Sequence, residues 1–346
     1  MPDALSLRLA VVGCGAVAER YHLPAISASP FVDLVAVCDA QPERAAEVAS
    51  RFGQPLVLES YEELPGRIDA AIVAVPNHLH ARVAADLLRA GIHVLVEKPM
   101  ARTAAECDAM LAAAAESGVV LAVGHDFRFF PVARLAKNLF TSGLLGDVES
   151  VDLHQSATGR WPSASPAVYS TTAGGGVLLD FGVHVLDLLM WWLGEAQPRS
   201  YRDDEGGGVE AECELELELS SGAAAFVVLS RARPLRDTFL VRCMHGIVEI
   251  GVFEPALIRL TLGGSAPSLV GDAVDSMFSA APLVTLFGRQ LADFAEAVRD
   301  GRSPLVPGEE GRRAVALVES CYALREPLRR AWDFPEAYAA TGSEAL

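Results

Sequence analysis

In the first third of the chain, short apolar runs alternate with longer stretches whose apolar residues recur every three or four positions. Residues 7–12, 32–38, 70–75, 92–96 and 119–123 are runs of five to seven residues, rich in Val, Leu, Ile and Ala. Residues 16–28, 42–52, 77–90 and 103–117 lie between them and read as helices. Short runs that are apolar throughout suit strands buried on both faces. Such strands, separated by helices, build a parallel sheet covered on both sides. Right-handed crossovers then give a doubly wound architecture. The punctuation agrees: Pro42 opens one helix, Gly91 and Gly118 follow two others, and Thr103 with Glu106 predicts a capping box.

The pattern changes near Gly124. Residues 131–142 read as a helix ending at Gly143, and 147–157 as extended chain. A loop rich in Ser, Pro and Gly leads to Gly176, followed by a helix over 177–193. Strands then arrive in succession at 199–203, 209–219, 223–231, 238–244, 247–251 and 257–262. Turns such as Ser220-Ser221-Gly222 and Met244-His245-Gly246 mark the sheet as antiparallel. Helices over 284–300 and 308–325 close the pattern. The expected fold is α/β: an N-terminal Rossmann domain with a doubly wound parallel sheet over residues 1–124, then a C-terminal α+β domain over 125–346 with a large, mostly antiparallel open sheet. The last helices are expected to pack back on the first domain. A length of 346 residues suits two domains, because single cores stop growing at about 250–300 residues.

Glu212, Glu214, Glu216 and Glu218 alternate with Cys213, Leu215, Leu217 and Leu219, so the glutamates share one face. That face reads either as solvated and partnered by basic neighbours or as a charged part of a subunit contact. The formal net charge of −17 argues against nucleic acid and against an anionic membrane surface as partners. The six cysteines show no CxxC or zinc-like spacing and read as small buried hydrophobes. With no signal peptide or bilayer-length apolar run, a cytoplasmic location is the expectation. His78 and His80 are two apart, on different faces of a helix, so no metal site is expected.

The first strand runs into Gly13-Cys14-Gly15-Ala16-Val17-Ala18. Gly13 permits a tight turn, Gly15 lets a pyrophosphate approach the backbone, and Ala18 lets the helix pack close to the strand. The helix start at Ala16 and Val17 offers free N–H groups and a positive dipole end. Asp39 ends the second strand, 21 positions after Ala18, where a carboxylate can accept bonds from both adenosine ribose hydroxyls and would repel a 2′-phosphate. Arg44 is the nearest cation. These features favour NAD over NADP. Ligands in such sheets lie beyond the carboxyl ends of strands, which places Pro76, Asn77 and His80 beside the dinucleotide; Asn77 reads equally as a helix cap.

Lys98 follows the apolar run ending at Val96 and lies at the mouth of the sheet. An ammonium there can stabilise an alkoxide developing from an alcohol, although alone it reads as a surface lysine before a kinked turn. Asp180 and His184 are four apart on a predicted helix and would share a face, so a carboxylate could orient an imidazole base; taken alone, the pattern reads more readily as a helix with a buried, satisfied histidine. Asp187, three further on, could do so instead.

Together, GCGAVA at 13–18, CDA at 38–40, VPNHLH at 75–80, EKP at 97–99 and GGGVLLDFGVHVLD at 174–187 resemble the Gfo/Idh/MocA family, the glucose–fructose oxidoreductase and inositol dehydrogenase group. The resemblance covers essentially the whole chain. It implies that Lys98, Asp180 and His184 form the catalytic group. His184 would be the acid/base, Asp180 would bind substrate and tune His184, and Lys98 would bridge cofactor and substrate, with Glu97 and Pro99 shaping the nicotinamide pocket. Arg128 matches the family's substrate-contacting arginine. His125 and Asp126 stand where many relatives carry apolar residues, and His125 is a candidate for contact with hydroxyls. Trp161 and Tyr169, in the loop over 158–172, are candidate substrate walls or simply anchors of a surface loop. The implied activity is hydride transfer between NAD and an alcohol carbon of a sugar or cyclitol. The alternatives are a ketoreductase of a sugar-nucleotide or antibiotic-sugar pathway, and a dinucleotide-sensing regulator without catalysis. The resemblance further implies a homodimer or homotetramer formed through the C-terminal sheet.

Overall fold

The structure, a computed structural model, describes residues 6–157, 175–206, 208–251, 257–263, 268–270 and 283–328. The first apolar runs form strands β1 (Leu7–Val12), β2 (Val32–Cys38), β3 (Leu56–Leu58), β4 (Ala70–Val73), β5 (His93–Val96) and β6 (Leu121–Val123). They build one parallel sheet in the order β3-β2-β1-β4-β5-β6, with the chain reversing direction of travel between β1 and β4. Leu9 to Val12, Ala70 to Val73 and Val94 to Val96 are buried, as strands covered on both faces must be. Helices α1 (Leu23–Ser27), α2 (Pro42–Arg51), α3 (Asn77–Arg89) and α4 (Ala104–Ser117) supply the crossovers. A π-helical turn at Ala18–His22 leads into α1.

Three local details differ from expectation. The Thr103 hydroxyl accepts from Glu106 N at 3.2 Å, but the Glu106 carboxylate accepts from Arg102 N rather than closing the predicted box. A complete capping box occurs instead at Ser60 and Glu63. Asn77 is the first residue of α3 and Pro76 is its cap position, so Asn77 is not the cap.

The second sheet has nine strands, adding β7 (Val148–Ser156), β8 (Ala196–Asp203), β9 (Glu212–Leu219), β10 (Ala224–Ser230), β11 (Thr238–Cys243), β12 (Gly246–Gly251), β13 (Leu257–Leu262), β14 (Ser268–Val270) and β15 (Arg325–Pro327). The order is β14-β13-β12-β11-β7-β10-β9-β8-β15, antiparallel except where β10 lies beside β7 and β15 beside β8. Helices α5 (Pro131–Thr141) and α6 (Val183–Leu193) contribute to the core on one face of this sheet. Leu186, Leu189 and Trp192 of α6 pack with Leu153, Leu215, Val227 and Phe239. The opposite face carries Glu216, Glu218 and Phe226, with a hollow beside Arg199. The glutamate row is mixed: Glu218 pairs with exposed Arg199, whereas Glu212 is buried against Ser230 and Arg233.

Helices α7 (Leu283–Asp300) and α8 (Gly308–Ala323) return to the parallel sheet. Leu291, Phe294 and Ala295 of α7 share a core with Leu9, Val11 and Ile72. Helix α8 faces both cores: Val315 packs with Val123 and Met100, while Leu317 and Cys321 join the core of the second sheet. Glycine lets it approach β6 closely, since a Cβ on Gly311 would lie 2.7 Å from Val123. All six cysteines are free and buried. Among the described residues no helix is long and apolar enough to cross a membrane, and no cluster of His, Cys, Asp and Glu is arranged to hold a metal.

Candidate active site

The turn after β1 is built for close approach. Gly13 has φ +98°, and a Cβ there would lie 2.4 Å from the Ala74 carbonyl oxygen. Only glycine meets both conditions. A Cβ on Gly15 would meet nothing within 4 Å, so open space lies over the exposed backbone just before the helix begins at Ala16. Asp39 closes one side. Its Oδ2 accepts from Cys14 N at 2.7 Å and its Oδ1 from Gln41 N at 2.9 Å, which fixes the carboxylate beside the turn. Arg44 is already engaged: its Nε donates to the Cys14 carbonyl at 3.0 Å, and its terminal nitrogens bind Glu47 and Glu19.

His80 was expected beside a dinucleotide, but it is 1% exposed with both ring nitrogens 2.8 Å from carbonyls, those of Pro99 and Val75. It ties the chain after β4 to the chain after β5 and has no free nitrogen for a ligand. Burial lowers its pKa, and the contacts with those two carbonyls oppose that shift.

At the end of β5, Glu97 is buried. Its Oε1 lies 2.7 Å from His22 Nε2, and its Oε2 accepts from Lys98 N at 3.1 Å. Burial opposes its ionisation, but His22 and Lys98 outweigh burial and hold its pKa below the usual value. The Lys98–Pro99 peptide is cis. Lys98 Nζ reaches across to the second domain and donates to the Asp180 carbonyl at 2.7 Å and to Asp180 Oδ1 at 3.0 Å. The other Asp180 oxygen accepts from Arg231, the residue after β10. Burial works against the Asp180 charge, yet these two cations keep its carboxyl below the ordinary range.

The segment carrying Asp180 is a π-helical turn, Leu178–Gly182, joined to α6. Glu210 holds its start: the backbone oxygen accepts from Val177 N, and Oε1 accepts from Leu178 N and from the Tyr322 hydroxyl. Gly176, with φ +114°, leaves room for that carboxylate, since a Cβ would lie 2.4 Å from Oε1. The expected pairing does not form. The Asp180 oxygens are taken by Lys98 and Arg231. The carboxylate that faces His184 is that of Asp126.

His184 is 6% exposed and stacks on Phe127 with ring centroids 4.2 Å apart. His125 meets its edge at 5.7 Å. The His184 Nδ1 faces Asp126 Oδ1 at 3.5 Å, longer than a hydrogen bond. Burial, then Lys98 and His125, push the His184 pKa well below the ordinary value. Burial, then Glu97, push Asp126 up to about 7, with Lys98 opposing. His125 is fully buried with neither ring nitrogen hydrogen-bonded, and burial lowers its pKa.

Arg128 and Asp187 fall elsewhere than the sequence reading put them. The Arg128 guanidinium is 2% exposed and grips Asp187 through Nε at 2.8 Å and a terminal nitrogen at 2.6 Å. That nitrogen also binds Glu310 of α8, and the guanidinium lies 5.1 Å from the Trp191 ring centroid. A cation committed to two carboxylates joins the elements behind the site rather than meeting substrate, and Asp187 is spent on it rather than on His184. Trp161 and Tyr169 lie outside the described residues. Arg231, Glu210 and His22 escaped sequence reasoning. Arg231 carries the same faint signal as Lys98, a cation directly after a buried strand, whereas nothing local marks Glu210 or His22.

Comparison with known proteins gives the following. Residues 7–125 match a family model described as an oxidoreductase family with an NAD-binding Rossmann fold, and residues 133–249 match one described as the GFO/IDH/MocA C-terminal domain. Over 191 residues the chain is 37% identical to a dTDP-3,4-didehydro-2,6-dideoxy-alpha-D-glucose 3-reductase of Streptomyces violaceoruber, spanning 55% of each protein. Over 328 residues it is 26% identical to an inositol 2-dehydrogenase of Rhizobium meliloti (strain 1021), spanning 91% of this chain and 96% of that one. It is similar in structure to an aldose-aldose oxidoreductase from Caulobacter crescentus complexed with glycerol, with a TM-score of 0.80, 28% identity, and coverage of 92% of this chain and 97% of that one.

Two outcomes follow from the buried charges. Arg128→Met strands Asp187 and is expected to cost about 3–5 kcal/mol of stability, read by urea denaturation at neutral pH. Asp126 has its native pKa raised to about 7, against about 3.9 in an unfolded chain. The native state therefore binds the proton more tightly, and wild-type stability falls as pH rises through that window. The stability of Asp126→Asn relative to wild type should increase between about pH 4 and 7 and level off above, in parallel denaturation series.

Proposed function

The chain belongs to the GFO/IDH/MocA oxidoreductase family, and from that premise we propose that it transfers a hydride between NAD and a secondary alcohol or ketone carbon of a free sugar or cyclitol. The observation that carries this reading is the meeting of Lys98, Asp180 and Arg231 at the mouth of the parallel sheet, with His184 near enough to feel the Lys98 charge. Bound there, the nicotinamide supplies the hydride acceptor or donor.

The residues around the first turn fit a dinucleotide. The open space over Gly15 and the N–H groups at Ala16 and Val17 suit a pyrophosphate. Asp39, fixed by Cys14 N and Gln41 N, keeps oxygen lone pairs for ribose hydroxyls. A 2′-phosphate would meet that carboxylate, and Arg44 is neutralised by Glu19 and Glu47; this favours NAD over NADP. Pro76, Asn77 and Glu97 form the wall further along the crevice, and His80 braces it from behind.

Lys98 holds its ammonium where an alkoxide can be stabilised, and Asp180 and Arg231 fix the ammonium in place. His184 presents Nδ1 to Asp126, which leaves Nε2 for the reacting hydroxyl. Its depressed pKa keeps it a neutral base near pH 7. His125 lies behind His184, where its bulk sets the position of the imidazole. The match to the Streptomyces violaceoruber 3-reductase favours a second reading, reduction of a keto group on a nucleotide-linked sugar with the same residues working in reverse. For the assembly, we place a homodimer or homotetramer contact on the outer face of the nine-stranded sheet around Phe226. A cytoplasmic location agrees with six buried free thiols.

The test is a panel of sugars, cyclitols and nucleotide-linked keto sugars with NAD(H) and NADP(H), followed by nicotinamide absorbance. Turnover with a free polyol and NAD is expected; no absorbance change with any free polyol would overturn the reading. Lys98→Met is expected to lower kcat by at least about 100-fold while NAD still binds, measured by calorimetric titration.

A further inference from the structure

We propose that Asp126 is the positioning residue of His184 and the far end of a two-member proton relay, in which a proton taken at His184 Nε2 moves the Nδ1 proton on to the Asp126 carboxylate. This rests on the function proposed above, because it concerns the acid–base step at the same site.

The geometry brings one carboxylate of the described residues within 4.0 Å of Nδ1, that of Asp126. Phe127 stacks on the imidazole with an interplanar angle of 13°, and His125 meets it edge-on at 81°, so the ring plane is held. Nδ1 is buried with no hydrogen bond, and Asp126 Oδ1 lies 3.5 Å away. The carboxylates on the same helical segment are committed elsewhere, Asp180 to Lys98 and Arg231, and Asp187 to Arg128. A closure of roughly half an ångström makes the bond, and catalytic contacts commonly tighten by such amounts when substrate packs the site.

The surroundings decide where a proton rests. The ends of β5 and β6 present Glu97, Lys98, His125 and Asp126; the π turn presents Asp180; Arg128 and Asp187 stand behind His125 as a closed pair. An imidazolium in this pocket would be a buried cation close to the Lys98 ammonium, which burial and that charge both oppose. Asp126 is shifted the other way, so a proton is held better by the carboxyl than by the ring. The relay lets His184 accept a proton while remaining neutral.

The step balances. In oxidation the substrate O–H bond breaks and its proton bonds to Nε2. The Nδ1–H bond breaks and a carboxyl O–H bond forms on Asp126. The carbon loses its hydride to the nicotinamide and becomes a carbonyl. Reduction runs through the same bonds in reverse.

The relay has a spectroscopic signature that needs no turnover. With the proton on Asp126, His184 is the Nε2–H tautomer; once it leaves, His184 is the Nδ1–H tautomer, with no imidazolium between. The full chain, labelled with 15N-histidine and saturated with NAD, would be titrated from pH 5 to 9 by two-bond 1H–15N correlation, with His184→Gln giving the assignment. We expect the two His184 nitrogens to exchange character with a midpoint near pH 7, where Asp126 titrates, and the exchange to vanish in Asp126→Asn. A wild-type His184 that keeps one tautomer throughout, or passes through imidazolium, overturns the relay whether or not the variant folds; so does an exchange that persists in Asp126→Asn. The two proposals fail separately: the exchange without turnover on any sugar or cyclitol sinks the function, and turnover without the exchange sinks the relay.

Discussion

The contact on which this molecule turns is the bridge from Lys98 at the end of β5 to Asp180 at the start of the α6 segment. It joins residues 82 positions apart and ties the two sheets together at the point where the parallel one opens. Several neighbours serve it. Glu97 is locked to His22, which steadies the strand end that bears the lysine. Gly124 lets the next strand end lie against Glu97, since a Cβ there would come within 3.2 Å of it. On the far side Glu210 and Tyr322 hold the helix start that bears the aspartate. The amine is thus supported from the first domain and the carboxylate from the second, and both are largely sheltered from solvent.

The interior charges follow a rule that the surface does not. A chain with formal charge −17 carries many carboxylates in water, where they need no partner. Inside, Asp180 and Asp187 each face a cation, and Glu310 shares the Arg128 that serves Asp187. Glu97 and Asp126 face imidazoles instead, His22 and His184. The two differ in distance: at 2.7 Å Glu97 is bonded and kept ionised, whereas Asp126, at 3.5 Å, is raised by burial and by Glu97 itself. One carboxylate is a fixed charge and the other can change its protonation near neutral pH. An acidic pair with divided roles arises from packing alone.

Much of the parallel half was readable because its signals are local. Buried strands are apolar throughout, helices carry caps and stops, and the Gly13 turn has a sequence grammar set by backbone sterics. β3 was missed because it has only three residues and begins with an exposed leucine, and β15 because an exposed Arg-Glu-Pro has no apolar pattern. At the site, Lys98 and Asp180 stand out as residues, but their contact depends on how two domains dock, which no periodicity encodes. Arg128 misled for a related reason: an arginine after a strand resembles a ligand contact until Asp187 and Glu310, distant in sequence, arrive beside it. His80 looked like a ligand contact and is a brace, because both carbonyls that hold it lie on loops whose approach is a tertiary event.

The π turn at Leu178–Gly182 stores one residue more than an α-helix of the same height would need. Which partner the aspartate meets is therefore written in the number of residues before α6 as much as in their identity. Shortening this turn by one position would leave every one of these side chains present, yet turn what precedes the deletion by about 100° about the helix axis relative to α6. Chain length in this stretch is under the same constraint as chemistry, and drift by insertion or deletion here would be silent in composition but not in wiring.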